Sequence, residues 1–101
     1  MSDTLTALKA LADSSRLDVV GLLAQQPRSG DELATILNLT PSTISHHVAR
    51  LQAAGLVSAS AQQYYRIYTL NADALRGLAR ELAPEAMAGR MGLEASVDSN
   101  A

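Results

Sequence analysis

The segment from Thr40 to Gly55 constrains the fold most, because both of its ends carry strong helix signals. Thr40 offers a hydroxyl cap, Pro41 fills the first helical position without losing a hydrogen bond, and Gly55 suits a left-handed helix end. Between these signals, apolar side chains recur at the spacing of one helix face, at Ile44, Val48 and Leu51. The segment therefore predicts a helix over 41–54 with one face turned into a core.

The pattern changes directly after this helix. Residues 56–60 and 64–70 are β-prone and are joined by residues 61–63, which predicts a hairpin over 56–70. The joining residues contain neither glycine nor an Asn-Gly pair, so the sequence specifies the turn weakly.

Three helices are predicted before Thr40 and one after the hairpin. Asp13 is placed to cap the second helix, Ser29 and Glu32 form a capping box for the third, and Asn71 caps the last. The apolar face expected for the second helix consists of Leu17, Val20, Leu23 and Ala24. The predicted order is four helices, two strands and a fifth helix. This mostly α arrangement with a β-hairpin is an α+β winged helix-turn-helix.

Length and composition fit one domain, since 101 residues leave little room for a second core. We expect the domain to span 1–91 and a small, polar, disordered tail to span 92–101, with Pro84 kinking or restarting the last helix. Leucines form stripes on the first and last helices that a chain of this size cannot fully cover, which predicts a homodimer. The expected interface residues are Leu5, Leu8, Leu75, Leu78 and Leu82.

The net charge of −2 by itself argues against nucleic-acid binding, which draws much of its affinity from neutralising phosphates. However, residues 33–72 contain no acid and include Arg50 and Arg66. The predicted outer face of the 41–54 helix adds small hydroxyls and one histidine, a composition that favours docking in the DNA major groove. The expected DNA contacts are Ser42, Thr43, Ser45, His46 and Arg50 of the helix, with Gln63, Tyr64 and Arg66 of the hairpin.

The adjacent histidines have different predicted roles. His46 points outward, whereas His47 lies beside the apolar stripe and is expected to be a structural histidine at the edge of the core. Side chains of neighbouring helical residues point about 100° apart, so the two are poorly placed to bind one metal ion.

Other function classes find little support. The chain has no cysteine, which excludes disulfides, thiolate metal sites and thiol redox switches. It shows no secretory signal and no membrane-spanning run, so we expect a soluble cytoplasmic protein without a membrane partner. No set of nucleophile, base and orienting group is recognisable, and we expect neither a catalytic site nor a cofactor.

Four segments, 8–17, 32–34, 42–48 and 51–57, resemble the ArsR family of bacterial winged-helix repressors in order and spacing. The resemblance implies a homodimer built from the first and last helices, bound to a near-palindromic DNA operator and usually repressing transcription. It also implies that Arg16 opens the second helix as a structural or phosphate-contacting residue. At the hairpin tip the family usually has a glycine and a basic residue, where this chain has Gln63 and Tyr64.

The metal sites of that family do not carry over. The family's thiolate site follows a Glu-Leu-Cys pattern, whereas this chain reads Glu32, Leu33, Ala34. A second type of site uses histidines and carboxylates on the last helix, but residues 71–85 contain no histidine. The effector stays unknown. The acidic balance also leaves open an alternative function, a winged-helix protein-interaction or dimerisation module without DNA binding.

Overall fold

A computed structural model of the chain describes residues 2–96, with side chains from Thr4 onward. The described elements are α1 (Ser2–Leu11), α2 (Ser14–Gln25), β1 (Arg28–Ser29), α3 (Gly30–Leu37), α4 (Pro41–Ala53), β2 (Val57–Gln62), β3 (Tyr65–Leu70), α5 (Ala72–Glu81) and α6 (Pro84–Arg90). The predicted fold class is confirmed: α3 and α4 form a helix-turn-helix, and the β2–β3 hairpin follows as the wing. Two elements, β1 and α6, were missing from the predicted order.

The predicted helix starts are confirmed by their capping hydrogen bonds. Each cap residue accepts a bond from the backbone N–H three residues later, and the four caps are Asp13, Ser29, Thr40 and Asn71. The Ser29 cap is reciprocal, because the Glu32 carboxylate accepts from the Ser29 N–H at 2.9 Å. Gly55 adopts a φ of 77° after α4, as predicted, and Asn38 ends α3 in the left-handed region with a φ of 55°.

The missed elements are both short. β1 pairs antiparallel with β3, so the sheet has three strands in the order β1-β3-β2. A two-residue strand leaves no periodic signal in a sequence. Pro84 restarts the chain as a separate helix, which was one of the two expected outcomes.

The turn of the hairpin is tighter than predicted. Residues 61–63 were expected to link the strands, but Gln62 pairs with Tyr65 and only Gln63 and Tyr64 form the turn. Gln63 adopts a φ of 56°, a conformation that glycine takes with less strain. The wing therefore consists of two six-residue strands joined by a two-residue turn, with a glutamine where a glycine is the ordinary choice.

One aliphatic core lies between the helices and the sheet. The stripe predicted for α4 is confirmed. The largest fully buried side chains of the core are Leu33, Ile44, Leu51, Leu56, Val19 and Val48. The face predicted for α2 is wrong in part, because Leu17 is 54 % exposed and Ala24 is exposed. The buried face of α2 consists of Arg16, Val19, Val20 and Leu23. Arginine does not count as an apolar residue, so the apolar spacing could not include Arg16. The spacing therefore predicted the wrong buried face for α2.

The leucine stripes divide between the core and the surface. Leu5 and Leu82 are 54 % and 42 % exposed, and Leu8 and Leu75 are half-buried against the core. Leu78 is only 6 % exposed within the single chain. Leu78 therefore contributes mainly to the chain's own core and has little surface left to give to a partner, while its place in the dimer interface stays a prediction.

The end of the described chain stays close to α6. The N–H groups of Gly92 and Leu93 donate to the carbonyls of Gly89 and Ala88, both at 3.0 Å. The tail predicted for 92–101 falls partly on residues 97–101, which lie outside the described residues, and it stays a prediction.

Two capping carboxylates make acid stability testable. The Arg16 N–H lowers the pKa of Asp13, and the Ser29 N–H lowers the pKa of Glu32. Because these pKa values are lower in the folded chain, the stabilisation is present above about pH 4, the unfolded value, and is lost as pH falls through the folded values. We expect Glu32→Gln to melt at a lower temperature at pH 7 and to lose less stability on acidification, as circular dichroism can measure.

The control for this prediction is Glu94→Gln, since Glu94 is exposed and lies outside the helices. Parallel acid profiles for the wild type and Glu32→Gln would contradict the prediction.

Candidate nucleic-acid interface

α4 presents a continuous polar face away from the core. Ser42, Ser45, His46 and Arg50 are exposed, whereas Thr43 is half-buried. The first turn of α4 carries no acid, and Arg50 lies in its last turn. The positive end of the helix dipole and the Arg50 guanidinium therefore flank a surface of small hydroxyls and one imidazole.

The hydroxyls at the start of α4 bond to one another. The Thr40 hydroxyl accepts from the Thr43 N–H at 3.2 Å, donates to the Thr43 hydroxyl at 2.8 Å and lies 3.3 Å from the Ser42 hydroxyl. Thr43, predicted as a DNA contact, is therefore engaged in the helix cap. Ser42 and Ser45 keep more exposed hydroxyls.

A groove of about 270 Å³ runs between α4 and the wing. It brings together three of the predicted contacts, because Ser45 of α4 lines it opposite Tyr64 and Arg66. The remaining lining residues are Ser29, Gly30, Asp31, Pro41, Tyr65 and Tyr68. His46 and Arg50 lie on α4 outside this groove, so the predicted contacts form one groove and one adjoining helix face.

The tyrosines of the wing separate into surface and core. Tyr64 is 98 % exposed at the turn and Tyr65 is 55 % exposed, so both face solvent. Tyr68 is 5 % exposed, and its ring lies so close to Gly30 that a Cβ added there would sit 3.4 Å from it. Gln63, at the tip, is exposed.

Asp31 is a groove residue that the sequence did not reveal. It belongs to the first turn of α3, outside the acid-free stretch 33–72, yet it is the one acid among the described residues lining the groove. Its carboxylate opposes part of the positive charge that Arg66 brings. No local signal predicts this, because only the packing of α3 beside the wing brings Asp31 to the groove.

Behind α4, His47 contacts the start of α2. It is half-buried, and its Nδ1 lies 3.3 Å from Arg16 Nη1 and 3.9 Å from the Asp13 carboxylate. The Arg16 side chain is 9 % exposed and also donates to carbonyls of α1. These contacts confirm the predicted structural position of His47, and they place Arg16 inside the protein.

Tyr64 and Tyr68 offer a matched pair of variants. We expect Tyr68→Ala to lower the free energy of unfolding by about 3 kcal/mol, since it empties a buried aromatic position. Tyr64→Ala should leave that free energy within about 0.5 kcal/mol of the wild type, because its ring contacts little of the protein. Urea titrations measure both values, and equal losses would contradict the burial described above.

Comparison with known proteins agrees with this geometry. Residues 13–59, which span α2 to the middle of the wing's first strand, match the bacterial regulatory proteins of the arsR family. The chain is 36 % identical over 83 residues to the HTH-type transcriptional regulator Rv0324 of Mycobacterium tuberculosis, covering 79 % of this chain and 37 % of that protein. It is 32 % identical over 71 residues to the transcriptional activator HlyU of Vibrio cholerae, and the match covers 70 % of this chain and 66 % of that protein.

The chain belongs to the arsR family of bacterial regulatory proteins. A solved neighbour is the homodimeric winged helix-turn-helix DNA-binding domain Mb0332 (fragment 1–100) of Mycobacterium bovis, described as a possible ArsR-family transcriptional regulator, with a TM-score of 0.72 and 28 % identity. The match covers 87 % of this chain and 84 % of that domain. The chain spans 37 % and 66 % of the two regulators it matches in sequence.

Two further features of this arsR-family chain concern metals and membranes. Among the described side chains, from Thr4 to residue 96, no three of His, Asp or Glu lie close enough together to hold a metal ion. None of the helices in that part of the chain has the length and hydrophobicity that a membrane crossing requires.

Proposed function

We propose that the chain is a homodimeric, sequence-specific transcriptional repressor that binds a near-palindromic operator. The observation that carries the proposal is the joint surface of α4 and the wing, where Ser45, Tyr64 and Arg66 line one groove beside the exposed His46 and Arg50. Binding chromosomal DNA would place its action in the cytoplasm.

In this proposal α4 enters the major groove and the wing follows the backbone beside it. The exposed Ser42 hydroxyl and the N-terminal end of α4 meet a phosphate, since helix N-termini attract anions. His46 and Arg50 reach base edges or phosphates, and Arg66 holds a phosphate near the groove. Gln63 and Tyr64 contact the sugar-phosphate backbone from the wing tip.

Dimerisation compensates for the weak charge of one chain. Two arginines supply little electrostatic affinity, so binding requires two copies of α4 on one duplex, about 34 Å apart. Leu5 and Leu82 leave apolar surface on α1 and α5, which contact each other within the chain, and Leu8 and Leu75 are only half-buried. The homodimeric Mb0332 domain supports the same assembly for this chain.

A mobility-shift assay tests the proposal directly. The DNA is the promoter fragment next to the chain's own gene, with a coding fragment of equal length as control, both at fixed salt. We expect the promoter fragment to shift at a protein concentration at least about 1,000-fold lower than the coding fragment requires. Equal affinity for both fragments would contradict sequence-specific binding, and a stable dimer without salt-dependent DNA affinity would favour a protein-interaction module instead.

The direction of regulation needs a second measurement, because HlyU is named an activator. A reporter gene driven by the shifted promoter should give a lower signal when the chain is expressed. A higher signal would contradict repression while leaving DNA binding intact.

A further inference from the structure

The Arg16 guanidinium lies where α1, α2 and α4 meet. Its Nε donates to the Ala10 carbonyl at 2.5 Å, and its Nη2 donates to the Lys9 carbonyl at 3.5 Å. Both carbonyls belong to the last turn of α1, where helix carbonyls carry partial negative charge. Arg16 therefore fixes the end of α1 against the start of α2.

The remaining guanidinium nitrogen is directed at α4. Arg16 Nη1 lies 3.3 Å from His47 Nδ1. A guanidinium can only donate hydrogen bonds, so Nδ1 must accept and cannot carry a proton. The contact thus requires neutral His47, with its single ring proton on Nε2.

Asp13 completes the cluster. Its carboxylate accepts from the Arg16 N–H at 3.0 Å and lies 3.9 Å from His47 Nδ1. If His47 gains a proton, Nδ1 loses its bond from Arg16 and can donate to the Asp13 carboxylate instead. Asp13 is also the cap of α2, so a shift of its carboxylate toward His47 competes with the cap.

We propose that Arg16 and His47 form a positioning pair, in which Arg16 fixes the rotation of α4 by bonding to neutral His47, and protonation of His47 weakens DNA binding. The inference rests on the proposed function, since it requires that α4 binds DNA. His46 and Arg50 lie on the same helix and face outward. Any rotation of α4 about its axis displaces both from their DNA contacts.

The titratable and charged groups on the elements around His47 do not explain a loss of DNA affinity on protonation. Lys9 of α1 contributes its carbonyl to Arg16, and on α4 itself His46 is adjacent and Arg50 follows. The carboxylates of α3, at Asp31 and Glu32, form no described ion pair with His47, and β2 contains no titratable residue. A proton on any imidazole of α4 adds positive charge near DNA, which by itself strengthens binding. The proposal predicts the opposite sign for His47.

The test measures DNA affinity by fluorescence anisotropy at pH 8 and pH 6, the range in which imidazoles ordinarily change charge, at fixed ionic strength. The probe is a fluorescein-labelled duplex that the chain itself selects from a random-sequence library. All proteins carry His46→Gln, so that His46 does not titrate. With His47 present, we expect affinity to be lower at pH 6 than at pH 8, by up to about tenfold when a symmetric dimer loses the contact twice. With His47→Asn added, affinity should differ by less than about twofold between pH 8 and pH 6.

Two variants at position 47 separate positioning from simple packing, and both are measured at pH 8. His47→Asn places an amide oxygen near the site of Nδ1 and should keep wild-type affinity. His47→Leu fills the space without an acceptor and should bind about tenfold more weakly while keeping its helical signal and its dimeric mass. Equal affinity of the leucine and asparagine variants would overturn the proposal.

The two proposals fail in different ways. A wild-type chain that selects no duplex from the library, at either pH, contradicts the proposed function and removes the basis of this inference with it. A chain that selects a duplex but gives the same pH response with and without His47→Asn contradicts the positioning pair alone.

Discussion

Arg50→Ala should weaken operator binding by about 100-fold while leaving the dimer intact. Each Arg50 contact with a base or phosphate is worth about 1–2 kcal/mol, and the substitution removes it from both half-sites of a symmetric dimer. Arg50 is exposed in the last turn of α4, so its loss costs the fold little. Anisotropy titrations at several salt concentrations measure both the affinity and its salt dependence.

If Arg50 contacts phosphates, the slope of log affinity against log salt should become shallower by about two per dimer. The matched control is Arg76→Ala, which changes the charge equally on α5, where Arg76 pairs with Asp73 at 3.5 Å. Equal losses in the two variants would show that only net charge matters, which would contradict a contact specific to α4.

Leu82→Glu should convert the dimer into monomers and lower operator affinity by about 1,000-fold. Leu82 is 42 % exposed at the end of α5, so a carboxylate there is tolerated in the single chain but is unfavourable when buried against a partner. One chain engages only one half-site and loses the high effective concentration of its partner. Sedimentation velocity measures the mass and anisotropy the affinity.

Leu78→Ala separates folding from assembly. Leu78 is buried within the single chain, so this variant should lose about 3 kcal/mol of stability in urea titrations. Leu82→Glu should have the same unfolding midpoint as the wild type when both are measured at protein concentrations at which the wild type is monomeric. A fully dimeric Leu82→Glu protein would contradict the proposed interface.

Local chemistry explains which parts of the fold were predictable. Helix caps at Asp13, Ser29, Thr40 and Asn71 were predictable because a cap depends on residues within one turn. The inward stripe of α4 was predictable because its apolar residues alone fix the face. The missed β1 pairs with β3, which lies some 40 residues further along the chain, so no local pattern could reveal it.

The candidate site was predictable where it lies on one element. The outward residues of α4 follow from the helix period, whereas the position of Asp31 in the groove depends on how α3 packs beside the wing. The burial of Arg16 depends on carbonyls of another helix, which shifts the buried face of α2 away from Leu17. Leu78 shows the same limit, because a leucine stripe does not distinguish the chain's own core from a partner's surface.

Hydroxyl-radical footprinting of the shifted promoter tests the central claim most directly, that two copies of α4 read one duplex. We predict two protected patches related by a two-fold axis, with centres about 10 base pairs or one DNA turn apart, and loss of both with Arg50→Ala. A single unpaired patch, or uniform protection along the fragment, would contradict a dimer that reads its operator through α4.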